Sequence, residues 1–191
     1  MPDPPAGDIP DILHSPQVTL IGDLEYPMVG RFIEQLADAE RKGGDIAVQL
    51  TTLGGGAEVA RRLVREIDDA RRRIEGRFLF LGKTTVYSAG VTMMAAFPRE
   101  DRFLTRDTML LIHGRQLDKN VALNGAMRSS RPKLEAMISE IDCALRLEDE
   151  SYERLTRGSR ISAREACEKG LHNWYLTGDE AEKLGLVAGI I

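Results

Sequence analysis

The sequence predicts an α/β fold with a parallel sheet and crossover helices. Three observations predict it. Short apolar, strand-like runs alternate with segments of helical period through the first hundred residues. Glycines close the helical segments, at Gly43-Gly44 and again at Gly76. A strand, helix, strand order demands crossover connections rather than hairpins. No internal repeat breaks the pattern, and 191 residues favour one domain with a real core. We place that domain over residues 17–191, behind an N-terminal arm.

The arm spans residues 1–16. It is rich in proline and aspartate and is expected to be flexible. Val18 to Ile21 reads as the first strand. Met28, Phe32, Ile33 and Leu36 recur at helical spacing, and Ile46 to Leu50 is the next strand. Thr51 to Gly56 forms a glycine-rich loop. Val59, Leu63, Ile67, Ala70 and Ile74 line one face of a second helix, and Phe78 to Leu81 is a third strand. A short helix over Ser88 to Phe97 ends before Pro98, and Phe103-Leu104 and Met109 to Ile112 are short strands. Arg115 to Arg131 is polar and weakly patterned, which predicts a long loop. A long helix over Pro132 to Arg157 follows, carrying Leu134, Met137, Ile138, Ile141, Leu145, Tyr152 and Leu155. Ser162 to Glu165 and Thr177 to Glu180 each fit a helix-start capping box. Leu186 to Ile191 reads as a final strand.

Bulk properties narrow the function. The chain is 42% hydrophobic and 29% charged, so it is not a disordered protein, and its net charge of -4 sets up no global basic field for nucleic acid. Its two cysteines lack metal-ligand spacing and point to a reducing compartment. No cationic-apolar leader and no bilayer-length apolar run is visible, so a cytoplasmic protein without a membrane partner is expected.

Gly82 to Gly90 is the most informative stretch. It puts Ser88 at a tight strand-to-helix junction, where a hydroxyl and the following amide reach the same space. Acyl transfer uses that pair as nucleophile and oxyanion donor. Taken alone, Ser88 also fits a helix cap, and Val86 rules out the nucleophile elbow of the α/β-hydrolases. The glycines at 54 and 56 suggest a dinucleotide loop, but Val59 occupies the third glycine position. Gly82-Lys83-Thr84 is not a phosphate loop, because strand material precedes it. The glycine loop is therefore either a tight turn or a place where backbone amides approach a substrate oxygen. Of three histidines, His113 ends an apolar run and is the best base for Ser88; alone it fits a structural role too. Asn173 is a turn residue or the orienter of that base.

In this order the pieces resemble the proteolytic subunit of the Clp protease, over roughly residues 17–191. That family has a strand ending in Asn-Ser-Pro-Gly-Gly, matched here by Thr51-Thr52-Leu53-Gly54-Gly55. Its Ser-Met-Gly turn is matched by Ser88-Ala89-Gly90 and its Ile-His-Gln strand end by Ile112-His113-Gly114. Its acid precedes an aromatic, a Leu or Met and a Ser-Ala-x-Glu-Ala stretch, matched from Tyr175 to Ala181. The resemblance implies a ClpP/crotonase-like αβ spiral with a protruding handle helix. It also implies a serine endopeptidase acting on peptide or unfolded protein through an acyl-enzyme. The family forms homo-oligomeric rings, stacked around a chamber, that work with an AAA+ unfoldase. By position Ser88 is the nucleophile, His113 the base and Asn173 the orienter, with oxyanion amides from Gly54 and Ala89. No metal or organic cofactor is implied.

Three departures stand out. Asn173 replaces the family's Asp; a neutral amide holds the ring but cannot stabilise the imidazolium, and such a change costs a serine protease about 10⁴-fold in turnover. Proline is missing before Gly54. The stretch after His113 is longer and lacks the paired glycines of the family's ring-to-ring contact. Two alternatives remain at this point: an inactive ring subunit with an assembly or regulatory role, and a crotonase-type acyl-CoA hydratase or isomerase.

Overall fold

The computed structural model describes residues 9–191. Among the described residues seven strands form one sheet, and all of its pairings are parallel except that of Met109–Ile112 with Trp174–Thr177. The elements run β1 (Val18–Ile21), α1 (Tyr26–Lys42), β2 (Ile46–Thr52), α2 (Ala57–Ala70), β3 (Phe78–Tyr87) and α3 (Ala89–Met94). They continue with β4 (Arg102–Leu104), β5 (Met109–Ile112), α4 (Met127–Thr156), α5 (Ala163–Gly170), β6 (Trp174–Thr177), α6 (Gly178–Lys183) and β7 (Gly189–Ile190). This is the mixed α/β architecture the alternation predicts, with α1 crossing from β1 to its parallel neighbour β2 and α2 from β2 to β3.

The strand β3 organises the molecule. Its first half, Phe80 to Gly82, pairs with β4, and its second half, Thr85 to Tyr87, pairs with β5. Between them Thr84 takes a positive φ of 58°. The sheet forks at that residue, and β5 carries β6 on its far side by antiparallel pairing. Gly82 sits at the fork because a Cβ there would fall 2.6 Å from Leu104 Cδ2. The sequence expectation ended this strand at Leu81. The β-branched Thr84, Thr85 and Val86 carry it to Tyr87, since they suit a pleated, half-buried surface.

The apolar faces of α1 and α2 pack on the sheet: Met28, Phe32 and Leu36 from one, Leu63 and Ile67 from the other, are all buried. Ile33, expected among them, is exposed. On the other face Leu13, from a 3₁₀ turn at Asp11–His14, is buried against Ala47, Leu79, Leu81 and Phe103. The arm expected over residues 1–16 is thus anchored at Leu13; its residues 1–8 lie outside the described residues.

Two boundaries move. The helix α4 begins at Met127, so the loop after His113 is shorter than the expected span to Arg131, and Pro132 lies inside the helix near its start. Its expected apolar face is buried only at the C-terminal end, where Tyr152 and Leu155 enter the core. Leu134, Ile138, Ile141 and Leu145 are exposed, so most of the helix projects from the body. The last strand is Gly189–Ile190, shorter than Leu186 to Ile191, because Leu186 and Val187 pack into the core instead. Of the two capping boxes, Thr177 with Glu180 is complete, while at Ser162 the side chain accepts from the Glu165 N–H. Among the described residues no helix is long and apolar enough to cross a membrane.

Candidate active site

Strand register decides which distant residues meet. Thr52 pairs with Val86 across β2 and β3, so continuing that parallel register sets Gly54 beside Ser88. A Cβ at Gly54 would lie 2.9 Å from Ser88 Cβ, and the residue takes φ +117°. Only glycine fits both constraints. Tyr87 pairs with Leu111, and the Ser88 N–H donates to Leu111 O at 2.7 Å. Ser88 therefore abuts the end of β5, where His113 follows Ile112. On the other side of β5, Ile112 pairs with Trp174, and the next facing position opposite His113 is Asn173. All four residues gather at the ends of strands β2, β3 and β5 and the start of β6, and open parallel sheets bind ligands beyond the carboxyl ends of their strands.

Ser88 has φ 54° and ψ -118°, a conformation L-residues rarely hold. It mirrors the first central residue of a type II turn and turns the chain sharply from β3 into α3. Such strain costs about 1–3 kcal/mol and survives only where surrounding structure enforces it. Here the pairing of β3 with both neighbours enforces it. Ala89 opens α3, so its N–H has no partner within the helix.

Ser88, Ala89 and His113 line one cleft of about 760 Å³, walled by Val91 of α3, by Glu58 of α2 and by Ile141, Leu145 and Glu148 of α4. His113 Nδ1 lies 2.7 Å from Gly114 O. A carbonyl only accepts, so a hydrogen bond here needs the proton on Nδ1, which in a neutral ring leaves the Nε2 lone pair free, the tautomer a general base uses. Among the described residues no hydrogen bond joins His113 to Ser88 or to Asn173. Asn173 is exposed, holds φ 56° as asparagine tolerates, and donates its N–H to Gly170 O at 3.3 Å. It is not among the residues that line the cleft. The Gly54 N–H donates to Thr52 Oγ1 at 3.0 Å, and that hydroxyl lies 3.1 Å from Gly54 O, so the amide is engaged within its own loop.

Several residues escaped the sequence reading. Glu148 is a nearly buried carboxylate that accepts the Arg115 N–H, and a Cβ on Gly114 would lie 3.1 Å from its Oε2. One turn later Tyr152 is buried with its hydroxyl unpartnered among the described residues. Burial, with the Glu148 charge adding, pushes that hydroxyl far above its ordinary range. The Arg115 side chain turns away to Glu58, at 2.9 Å. Burial pushes the Glu58 carboxyl up, but hydrogen bonds from Arg115 and Arg61 outweigh it and hold the group below its usual range. The signal for Glu148 was present: an acid stands between Leu145 and Leu155 on the helix face that ends in the core.

No protein-family model matches the chain, and no curated protein does. The structure is similar to a solved one, an asparagine-to-aspartate mutant of ClpP1 from Listeria monocytogenes, with a TM-score of 0.71 and 22% sequence identity over 94% of this chain and 93% of that one. The chain thus has the ClpP fold.

Proposed function

We propose that this chain is a serine endopeptidase subunit of the Clp type. Ser88 Oγ attacks the carbonyl carbon of a peptide bond and gives its proton to His113 Nε2. The oxyanion that forms accepts the Ala89 N–H, and the Gly54 N–H once Thr52 releases it. Collapse of the intermediate breaks the C–N bond, and His113 returns the proton to the leaving amine. Water then hydrolyses the acyl-Ser88 ester by the same base. The observation that carries this reading is a serine held in a strained turn, packed on a glycine that no other residue can replace, in one cleft with an imidazole whose Nδ1 lies against a backbone carbonyl. The substrates are peptides and unfolded polypeptide, the working form is a ring of copies, and an AAA+ unfoldase is the partner that would feed it. A fluorophosphonate probe with mass spectrometry tests the assignment: the adduct is expected on Ser88 and lost in Ser88→Ala. Labelling that persists unchanged in that variant overturns it.

A second reading has its own support in the engaged Gly54 amide and the exposed, neutral Asn173. In it the subunit does not hydrolyse by itself and serves the assembly or regulation of an active partner. Robust peptide hydrolysis by the purified native chain rules it out.

A further inference from the structure

The mechanism above leaves His113 with no negative charge at hydrogen-bond distance when it takes the Ser88 proton. Asn173 is neutral, and the group that holds Nδ1 is the Gly114 carbonyl. That carbonyl belongs to the Gly114–Arg115 peptide, whose other end is also engaged: the Arg115 N–H donates to Glu148 Oε2. The imidazole and the carboxylate therefore sit at opposite ends of one peptide unit, linked through it by two hydrogen bonds in series. Bonds in series polarise one another, and a low-dielectric setting strengthens the effect.

We propose that Glu148 is a positioning residue for His113, supplying through the Gly114–Arg115 peptide the negative charge that Asn173 lacks; this rests on the serine peptidase reading. As Nδ1–H becomes part of an imidazolium, it pulls harder on the Gly114 carbonyl. The carbonyl draws electron density from the amide, and the Arg115 N–H binds the carboxylate more strongly. No proton leaves either peptide atom, so charge is stabilised and the tautomer is preserved. The surroundings keep that carboxylate available. Glu148 is 9% exposed. The nearest guanidinium on the same segment, that of Arg115, is bound to Glu58 instead. Gly114 lets the carboxylate approach, because a Cβ there would sit 3.1 Å from Oε2 and 3.4 Å from Oε1. Tyr152, one helical turn along α4, places a hydroxyl near the carboxylate without bonding to it.

The test uses the full-length chain and four forms: native, Glu148→Gln, Asn173→Asp and the double variant. Glutamine keeps an oxygen that accepts the Arg115 N–H, so a merely structural role survives the change. We expect Glu148→Gln to fold normally yet lose about 10- to 100-fold in kcat/KM for a fluorogenic peptide and in the rate of fluorophosphonate labelling at Ser88. That loss is smaller than the roughly 10⁴-fold for an acid in direct contact, because the charge here acts at one remove. Adding Asn173→Asp to Glu148→Gln is expected to restore at least about tenfold of the loss, since an aspartate can support the ring directly. Activity in Glu148→Gln within about twofold of native, or a loss that Asn173→Asp leaves unrepaired, overturns the proposal while leaving the peptidase reading intact. Absence of labelling and hydrolysis in the native chain and in Asn173→Asp alike overturns the peptidase reading, and this inference with it.

Discussion

At the scale of single residues, Asn173 and Tyr152 give the sharpest expectations. Asparagine suits the φ of 56° at position 173 and aspartate is nearly as tolerant of it, so Asn173→Asp changes charge without reshaping the turn. Its kcat/KM on a short peptide is expected to exceed that of the native chain by at least about tenfold. A stopped or continuous fluorogenic assay decides this, and equal rates would show that position 173 does not reach the ring. Tyr152 is the opposite kind of residue, with a polar atom that gains nothing from its place. Removing an unpartnered buried hydroxyl leaves no desolvated group behind, so Tyr152→Phe should be neutral or stabilising by up to about 1 kcal/mol in urea unfolding. The pH dependence has a definite sign. Burial first, then the charges of Glu148 and Cys167, raise the folded pKa above the unfolded value of about 10. Above pH 10 the unfolded chain loses this proton and the folded chain keeps it, so stability falls as pH rises. The Phe variant is expected to show a shallower alkaline loss. The sequence proposes Ser88 and His113 because each ends an apolar strand-like run, and Asn173 because it precedes a capped helix; strand register then sets the three at neighbouring strand ends. The helix face that ends in the core marks Glu148 as a buried acid but not its role, which lies in a bond to the Arg115 N–H, 33 residues away; Thr52 acts on the backbone of Gly54 two residues on, a bond that the loop's shape and not its composition decides.

At the scale of elements, the contact of α4 with α5 closes the site from behind. The C-terminal Gly170 of α5 admits the Tyr152 ring: a Cβ there would fall 2.2 Å from Tyr152 Oη and 3.6 Å from His113 Cα. Gly170→Ala is therefore expected to destabilise by about 1–3 kcal/mol through overpacking. In a Tyr152→Phe background most of that cost should vanish, because the atom in conflict is gone. A double-mutant cycle by chemical denaturation measures the coupling, and additive effects would place the strain elsewhere. The same elements show why the fold was partly legible. The strands β1 and β5 and the helices α1 and α2 follow period and glycine punctuation, which are local signals. The fork of β3 at Thr84 is not local: it arises because β4 and β5 each claim half of one strand. Antiparallel β6 was missed for a related reason, since four residues with two aromatics carry little pattern until β5 is beside them. The long helix starts at Met127 and not at Pro132: the proline is its sixth residue, past the first turn, so a residue that normally bounds a helix stands inside this one at the loss of one backbone hydrogen bond.

At the scale of the whole molecule, one buried cation ties the body together and one exposed stripe directs it outward. Arg102 donates to the carbonyls of Phe97, Leu155, Leu186, Ala95 and Arg154, joining β4 to the ends of α3 and α4 and to the chain before β7. Burial lowers its guanidinium to about 10, with Glu100 opposing the fall, so it stays charged at neutral pH. Arg102→Met would strand five carbonyls and is expected to cost about 3 kcal/mol or more. The body so fixed leaves α4 with Leu134, Ile138, Ile141 and Leu145 in solvent, a row at helical spacing that a lone subunit does not cover. A row of that length on a projecting helix is a burden for a monomer and an asset for a ring. Purified native chain at micromolar concentration is therefore expected to scatter light as an oligomer. Ile138→Asp places a charge in the row but away from the cleft, so it should shift the scattering to smaller species while thermal unfolding of the subunit changes little. A native chain that elutes and scatters as a monomer would contradict the ring, and an oligomer indifferent to Ile138→Asp would move the interface to another face.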